Sequence, residues 1–471
     1  MSEDDPFRGL LYVMDSLRYD HLGCNGYEKD ITPKMDNIAA DGTSFDNAFS
    51  QAIWTYPSAG SIFTGLYPET HDSQQFHQGL DSDQPHLADR FGEEVSTACF
   101  STTLGVSPDR GYKQEFDEFY HLGEDDSGLR PDIMGRLNEK LLPWLESNAD
   151  GGFFVVIWAM GTHHPYLPPS NRTVSDPTEP VKQGGEGTQD WMRRLPADRR
   201  EDVISTYDRA IKHTDEKLGE VIDCLKDNGV YDETAVFVTA DHGELFDEHA
   251  RLEHASKSAT RAAKTVTSAE KRRYFSVFDK SAFVGHQAVL PYDELIHVPL
   301  IVKPDVDNDF GTDRHDGLVE LIDLFPTLYE FADLDAPSAI QGRSLSRSVN
   351  NNSKSFVYST SQIHNGNLLY RSIRGTEYKL CTKELFDISP RLLTDIRTLQ
   401  SIVGYFVGEG TTLLQLPEEK GATNKKRASK LMSQLESHIS DCESQIETSG
   451  EPNTVTVDEE TQSHLEDLGY K

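Results

Sequence analysis

The sequence has few cysteines, no long apolar run and a shortage of basic residues. Its five cysteines are dispersed with no Cys-x-x-Cys pair, which argues against a disulfide framework or a zinc finger and favours reduced thiols. No apolar run approaches the ~20 residues of a membrane helix. The acidic start, MSEDDPFRGL, lacks the basic and apolar regions of a secretory signal. We therefore expect a soluble, cytoplasmic protein.

The charge balance argues against a nucleic acid as partner. The chain has 45 Lys and Arg residues against 79 Asp and Glu residues, a net charge of −34. Contacts to phosphate backbones need clustered basic side chains, and this composition does not favour them. Such acidity suits a halophilic cytosol, where salt screens the repulsion between carboxylates. An ordinary acidic protein is the alternative, and charge alone does not decide between them.

The length, 471 residues, exceeds that of one ordinary core and predicts a large domain with a smaller one attached. We expect a catalytic domain over 1–350 and a small α+β subdomain over 351–471, with a four-stranded antiparallel sheet, an amphipathic helix and an acidic tail. The long amphipathic helix that ends at Gly229 should carry His213 on its surface. A locally basic insertion at 250–284 is either a lid that attracts an anionic substrate or a solvated helical excursion.

Two apolar runs, at Leu10–Asp20 and Thr234–Glu244, have the pattern of parallel strands buried on both faces. In open α/β sheets the ligand crevice lies outside the carboxyl ends of the strands. The two runs therefore predict that Asp15, Asp241 and His242 meet at one rim of the sheet. Two carboxylates and an imidazole at one point indicate a metal site.

A third chemical element is Thr55, in TYPS immediately before the helical segment AGSIFTG. A hydroxyl ahead of a helix N-terminus faces free backbone N–H groups and the positive end of the helix dipole, which favours a bound oxyanion. Thr55 is thus a candidate nucleophile, although Ser and Thr are also ordinary N-caps. A third strand, GGFFVVIWAM, leads to His163 and His164, and the following Pro-rich loop is expected to be extended.

The order of these elements resembles the sulfatase branch of the alkaline phosphatase superfamily over about residues 8–390. The motifs that carry the resemblance are MDSLRYDHLGCNGY, TPKMDNIAADGTSFDNAF, TYPSAGSIFTGLYPETH, THHPYLPP, TADHGELFDEH, DELIHVPLIVK, LVELIDLFPTLYEFADLDAP and GRSL. The resemblance implies an α/β, three-layer sandwich with a mixed, mostly parallel central sheet and a small C-terminal antiparallel sheet. It also implies a metal-dependent nucleophile that attacks the sulfur or phosphorus of an ester.

The resemblance assigns expected roles to particular residues. Asp15, Thr55, Asp241 and His242 would hold one divalent metal ion, and Thr55 would also attack the ester. His164 and His286 would contact the anion or protonate the leaving oxygen, and Tyr56 would contact the substrate. Because most of these ligands are hard oxygen donors, Mg²⁺, Ca²⁺ or Mn²⁺ is expected rather than Zn²⁺.

The sequence departs from the arylsulfatase pattern at several of these positions. Arylsulfatases have a Cys or Ser that is oxidised to formylglycine in a CxPSR context, whereas this chain has Thr55 and Ala59. The second Asp of the usual pair is Ser16, and hydroxyl residues in CFSTTLGVSP stand where Lys-x-His is expected. Three functions remain open: a hydrolase of sulfate or phosphate (di)esters, a phosphoglycerol- or phosphoethanolamine-type transferase, and a noncatalytic anion-binding protein.

Overall fold

The protein is described by a computed structural model. It describes residues 6–71, 73–75, 77–122, 132–164, 166, 200–246, 248–249, 284–285, 290–306, 310, 314–349, 353–362, 368–385, 411–417, 420–422 and 424–446. The strands are β1 (Arg8–Met14), β2 (Thr43–Phe49), β3 (Val95–Ser101), β4 (Glu118–His121), β5 (Gly152–Ala159), β6 (Ala235–Ala240), β7 (Leu245–Phe246), β8 (Val284–Gly285), β9 (His297–Val298), β10 (Leu300–Lys303), β11 (Arg314–Glu320), β12 (Val357–Gln362), β13 (Leu368–Arg374), β14 (Tyr378–Leu385), β15 (Thr411–Gln415) and β16 (Lys420–Gly421). The helices are α1 (Pro33–Ala40), α2 (Thr55–Thr64), α3 (Pro68–His71), α4 (Ile133–Asn148), α5 (Arg200–Asp227), α6 (Asp293–Ile296), α7 (Leu324–Phe331), α8 (Leu345–Val349) and α9 (Lys425–Ile446).

The described residues form a nine-stranded central sheet in the order β11-β2-β10-β6-β1-β5-β3-β4, with β9 paired to β2. β1 lies in the middle and pairs in parallel with both β5 and β6. β10 is antiparallel to its two neighbours, β2 and β6. The sheet is therefore mixed and mostly parallel, as predicted.

The apolar strands are buried because helices cover the sheet. Every residue of β1 and of β6 is buried, which explains why both strands are continuous apolar runs without alternation. Helices α1, α4 and α5 pack together, and α2, α3 and α7 form a second group. The prediction for His213 on α5 is wrong: the side chain is buried, and its Nε2 lies 2.9 Å from the carboxylate of Asp132.

A second sheet contains the antiparallel strands β12 to β16. It has five strands instead of the four predicted, because β16 adds a two-residue edge. Buried leucines of α9, Leu431 and Leu435, cluster with Ile373 and Leu380 of this sheet. Ser359 Oγ of β12 donates to Ser50 O at 2.6 Å, and the N–H of Thr360 donates to Gln51 O at 2.8 Å. The small sheet thus packs on the segment that leads into α2.

Most of the predicted insertion at 250–284 lies outside the described residues, as does the acidic tail. At the insertion's root, β7 pairs with β8 in antiparallel fashion, and Leu245 lies opposite Gly285. The two chain segments that flank the insertion therefore meet. The division into domains at residue 350 stays a prediction. Within the described part of the chain, no helix has the length and hydropathy needed to cross a membrane.

Candidate active site

Asp15 follows the last residue of β1 and lies at the carboxyl edge of the sheet. Its backbone N–H donates to Ala159 O at the end of β5, so the two strand ends are fixed side by side. Ser16 has a left-handed conformation, with φ of 63°, which is uncommon for a residue with a Cβ. In this conformation its Oγ donates to Asp15 Oδ1 at 2.9 Å and its N–H donates to Asp241 Oδ1 at 3.1 Å. Ser16, which stands where a second Asp was expected, therefore links the two carboxylates.

Asp241 and His242 follow β6 in the same way. Asp241 Oδ1 accepts hydrogen bonds from the N–H groups of Ser16 and His242. Its Oδ2 is buried and has no hydrogen-bond partner among the described residues. His242 Nδ1 lies 2.8 Å from Gly243 O, and since a carbonyl can only accept, the proton is on Nδ1. The lone pair of Nε2 then faces the two carboxylates, 3.6 Å from Asp15 Oδ1 and 3.5 Å from Asp241 Oδ2.

Thr55 joins these three side chains. It is the first residue of α2 and is preceded by Trp54 as N-cap, so it lies within the helix and not on the loop ahead of it as predicted. Its Oγ1 donates to Asp15 Oδ2 at 3.1 Å and lies 3.4 Å from His242 Nε2. Trp158 Nε1 also approaches Asp15 Oδ2, at 3.5 Å. The structure therefore brings together all four residues that the sequence predicted as metal ligands.

The electrostatics of this cluster are unfavourable without a cation. Ligand atoms of Asp15, Asp241 and His242 lie within 4.8 Å of one another, and all three side chains are buried. Burial and the charge of Asp15 raise the pKa of Asp241 from 3.8 to about 7. Burial opposes protonation of His242, but Asp241 and Asp15 outweigh it and raise the pKa of the imidazole. A cation of higher charge than a proton would relieve the same repulsion.

The donor set fits a divalent metal ion. Asp241 Oδ2 and His242 Nε2 face the same point, and the hydrogen bonds to Asp241 Oδ1 and from His242 Nδ1 fix both groups from behind, as is common for metal ligands. Carboxylate and hydroxyl oxygens from Asp15 and Thr55 complete a set of mainly hard donors. The residues present thus fit such an ion.

His164 follows β5 at the same edge of the sheet. Two residues earlier, Thr162 Oγ1 donates to Asp15 O at 2.5 Å, which attaches this segment to the end of β1. His164 is buried, and its Nδ1 lies 3.7 Å from Glu244 Oε2, which also accepts a hydrogen bond from Tyr166 at 2.9 Å. His163 stacks on His164, with ring centroids 4.2 Å apart. His286 lies outside the described residues, and its role stays a prediction.

Tyr56 is buried beside Thr55, and its ring lies against Trp54 and the guanidinium of Arg110. Burial raises the pKa of Tyr56, and the charge of Arg110 opposes that shift. The site also contains Glu244, Ser58 and Arg110, which were not predicted from the sequence. Glu244 could have been found from its place two residues after His242, whereas no local pattern indicates the contact of Arg110, which comes from a separate loop.

A sequence model of the sulfatase family matches residues 9–334. The chain is 26% identical to human N-acetylgalactosamine-6-sulfatase over 50% of this chain and 49% of the relative, so it spans about half of that protein. It is 24% identical to human iduronate 2-sulfatase over 71% of this chain and 70% of the relative. Among solved structures, a phosphonate monoester hydrolase from Silicibacter pomeroyi superposes with a TM-score of 0.63 at 17% identity, covering 94% of this chain and 96% of the other.

These similarities and the sheet topology define an alkaline-phosphatase-like α/β protein. The chain belongs to the sulfatase family. The sequence-based predictions of family and fold class are both confirmed, and so is membership of a family whose relatives are ester hydrolases.

Proposed function

We propose that the protein is a metal-dependent hydrolase of sulfate or phosphate esters, including phosphate diesters, with Thr55 as nucleophile. The observation that carries the proposal is the position of Thr55 Oγ1, 3.1 Å from Asp15 Oδ2 and 3.4 Å from His242 Nε2. The N-cap position belongs to Trp54, so Thr55 is not the helix cap that an ordinary Thr in this sequence context would be. Its hydroxyl instead faces a buried acidic cluster.

Asp15, Thr55, Asp241 and His242 would hold one divalent metal ion, with Mg²⁺, Ca²⁺ or Mn²⁺ favoured over Zn²⁺ by the oxygen-rich donor set. When bound, such an ion would lower the pKa of the Thr55 hydroxyl and offset charge on the nonbridging oxygens of the ester. The carboxylate of Asp15 accepts the hydrogen bond of that hydroxyl and so orients Oγ1. The first-turn N–H groups of α2 have no acceptors within the helix and would face the same anion.

Attack by Thr55 Oγ1, whose proton would pass to the carboxylate of Asp15, would form a bond to sulfur or phosphorus. The bond to the leaving alcohol oxygen would break, and that oxygen then needs a proton. We assign that proton to His164, whose Nδ1 lies 3.7 Å from the buried carboxylate of Glu244. Water would then release the group from Thr55. His286 is retained from the sequence as a second group that contacts the anion, and Tyr56 as a contact of the substrate.

We propose both sulfate and phosphate esters as substrates, because some observations favour one class and some favour the other. The relatives are sulfatases, but one solved structure of the same fold is a phosphonate monoester hydrolase. Thr55 cannot form the aldehyde of formylglycine-dependent sulfatases, since oxidation of its secondary alcohol gives a ketone. The segment that follows β3 has hydroxyl residues at the positions where the Lys-x-His pattern was expected. In this segment Gly105 packs on the Thr55 side chain.

The test is an assay with p-nitrophenyl sulfate, p-nitrophenyl phosphate, bis-p-nitrophenyl phosphate and p-nitrophenyl phenylphosphonate, with each of Mg²⁺, Mn²⁺, Ca²⁺ and Zn²⁺ after chelation. We expect turnover of at least one ester that depends on metal and on Thr55. Full activity in the chelated protein would contradict the proposed requirement for a metal ion. The absence of turnover with every ester would contradict the proposed hydrolase activity. Added alcohols that take product at the expense of hydrolysis would identify a transferase.

A further inference from the structure

Four arginines are buried among the residues that the structure describes, and they differ in their partners. Three of them contact carboxylates: Arg8 contacts Glu233, Arg18 contacts Asp20 and Glu248, and Arg374 contacts Asp293. Arg110 is the most buried of the four, at 3% exposed. In the part of the chain that the structure describes, it has no ion pair, although the sequence contains 79 acidic residues. A buried charge is ordinarily paired, because removing it from water is costly.

The guanidinium of Arg110 is held in place by an aromatic ring and a carbonyl. Its Cζ lies 4.3 Å from the centre of the Tyr56 ring, a geometry that stabilises a cation. Its Nη1 donates to Gln78 O at 3.1 Å. Within the described ranges these contacts engage one face of the group and a single N–H, whereas a guanidinium has five N–H donors. Most of its capacity to bind an anion is therefore unused.

Arg110 is 55 positions from Thr55 in the sequence, but it contacts the residue next to the proposed nucleophile. Tyr56, on which it stacks, is the residue after Thr55. A Cβ added to Gly105 would lie 3.0 Å from Thr55 Cγ2, so the segment 105–110 begins against Thr55 and ends against Tyr56. An oxyanion at the start of α2 would thus lie near a cation that has no carboxylate partner among the described residues. The planar fork of an arginine can bind two oxygens of such a group.

We propose that Arg110, positioned by Tyr56, is a binding residue for the anionic sulfate or phosphate group of the substrate. The proposal rests on the proposed function for the identity of that group. The observation specific to it is a buried arginine that pairs with no carboxylate in the described part of the chain. Arg110 supplies positive charge and two-point hydrogen bonding to an oxyanion.

The first test measures the binding of inorganic phosphate and inorganic sulfate by calorimetry, on the metal-loaded Thr55→Ala protein, which has no nucleophile. Adding Arg110→Met should weaken phosphate binding by about 10- to 100-fold, the usual loss when a charged hydrogen bond is removed. Arg110→Lys should lose less, because it keeps the charge but not the fork. Arg8→Met is the matched control and should leave binding unchanged, since Arg8 lies at the opposite end of β1 and pairs with Glu233.

The second test separates binding from a structural role. If Arg110 only supported the fold, Arg110→Met would lower the midpoint of thermal unfolding with or without phosphate. We expect the midpoint without phosphate to stay the same or to rise, and the increase caused by phosphate to disappear. With ester substrates, KM should rise by about 10- to 100-fold while kcat changes by less than about threefold, because the binding is shared by substrate and transition state.

A crystal structure of the Thr55→Ala protein with phosphate keeps the proposal testable even if the Arg110 variants do not fold. Phosphate bound at the start of α2 without a hydrogen bond to Arg110 would overturn it, as would unchanged phosphate affinity in folded Arg110→Met. Phosphate binding that depends on Arg110 in a protein without ester turnover would leave this assignment intact and refute the proposed hydrolase activity.

Discussion

Ser58 Oγ donates a hydrogen bond to the main-chain carbonyl of Asp241, at 2.5 Å. Ser50 Oγ contacts the same carbonyl and also lies 3.1 Å from Ser58 Oγ. Ser58 belongs to the first turns of α2, and Asp241 follows β6. One pair of hydroxyls thus fixes the helix that begins at Thr55 against the strand end that carries the predicted metal ligands.

Because Ser58 contacts the main chain of Asp241, we expect the loss of its hydroxyl to impair activity more than it lowers stability. Ser58→Ala should reduce metal affinity or kcat by about 10- to 100-fold, as for other groups that orient metal ligands, while lowering the free energy of unfolding by about 1 kcal/mol. Metal titration and chemical denaturation measure the two effects. Ser61→Ala is the control, because Ser61 is on the same helix but contacts His71. Equal effects of the two variants on metal affinity would contradict the prediction.

Thr55 variants test the nucleophile directly. Thr55→Val preserves shape but removes the hydroxyl, and it should lower kcat by about 10³-fold or more, as expected when a nucleophile is lost. Thr55→Ser keeps the hydroxyl and should retain a measurable fraction of the activity. Steady-state rates with the best ester substrate provide the measurement, and circular dichroism checks the fold. Retention of wild-type kcat by Thr55→Val would exclude Thr55 as nucleophile.

The strand ends of the site could be predicted from the sequence, because each is marked by a change from apolar to polar residues. This pattern was sufficient for Asp15, Asp241 and His242, which meet because parallel strands end at one edge. The start of α2 was predicted four residues late, at Ala59 instead of Thr55, since Trp54 caps the helix by its extended backbone without a side-chain hydrogen bond. Composition and motif alone do not indicate such a cap.

The supporting contacts could not be predicted, because they join segments that are distant in sequence. Ser58 is 183 positions from Asp241, and a serine in this context is also an ordinary helix residue. The stacking of Arg110 on Tyr56 depends on the path of the loop after β3. His213 was expected at the surface because helical periodicity does not reveal the carboxylate of Asp132 packed against it.

Glu244 is predicted to act through His164. Glu244→Gln keeps the shape and the contact to Tyr166 but removes the charge that faces the imidazole, and kcat should fall by about 10-fold. The measurement is a double-mutant cycle with His164→Asn. If Glu244 acts by positioning His164, its substitution should have little further effect once His164 is absent. Additive losses in the double variant would show that the two residues act independently.

The acidic composition predicts that stability depends on salt. With 79 acidic and 45 basic residues, repulsion between surface carboxylates should weaken as KCl is raised from about 0.1 M to about 2 M, because the screening length shortens. The midpoint of thermal unfolding should therefore rise. The same series in sucrose distinguishes screening from general solute exclusion. A midpoint that does not respond to KCl would contradict the expectation of a protein adapted to a salt-rich cytosol.

The buried carboxylate of Asp241 predicts how the metal-free protein responds to pH. Its pKa in the folded state is raised from 3.8 to about 7, first by burial and then by the charge of Asp15, so the folded state binds more protons than the unfolded state between these values. The contribution of this group to stability therefore decreases as pH rises from about 4 to about 7. The raised pKa of His242 acts in the same direction.

In the chelated protein, Asp241→Asn should remove part of this pH dependence and should be at least as stable as the wild type at about pH 8, although it abolishes activity. Saturating Mn²⁺ should stabilise the wild type more as pH rises, because the ion competes with protons for Asp241 and His242. Thermal unfolding at about pH 5, 6, 7 and 8, with chelator and with Mn²⁺, measures both effects. If the chelated wild type and Asp241→Asn proteins respond identically to pH, the pKa of Asp241 is not raised in the folded state. That result would remove the electrostatic argument for a cation at this site.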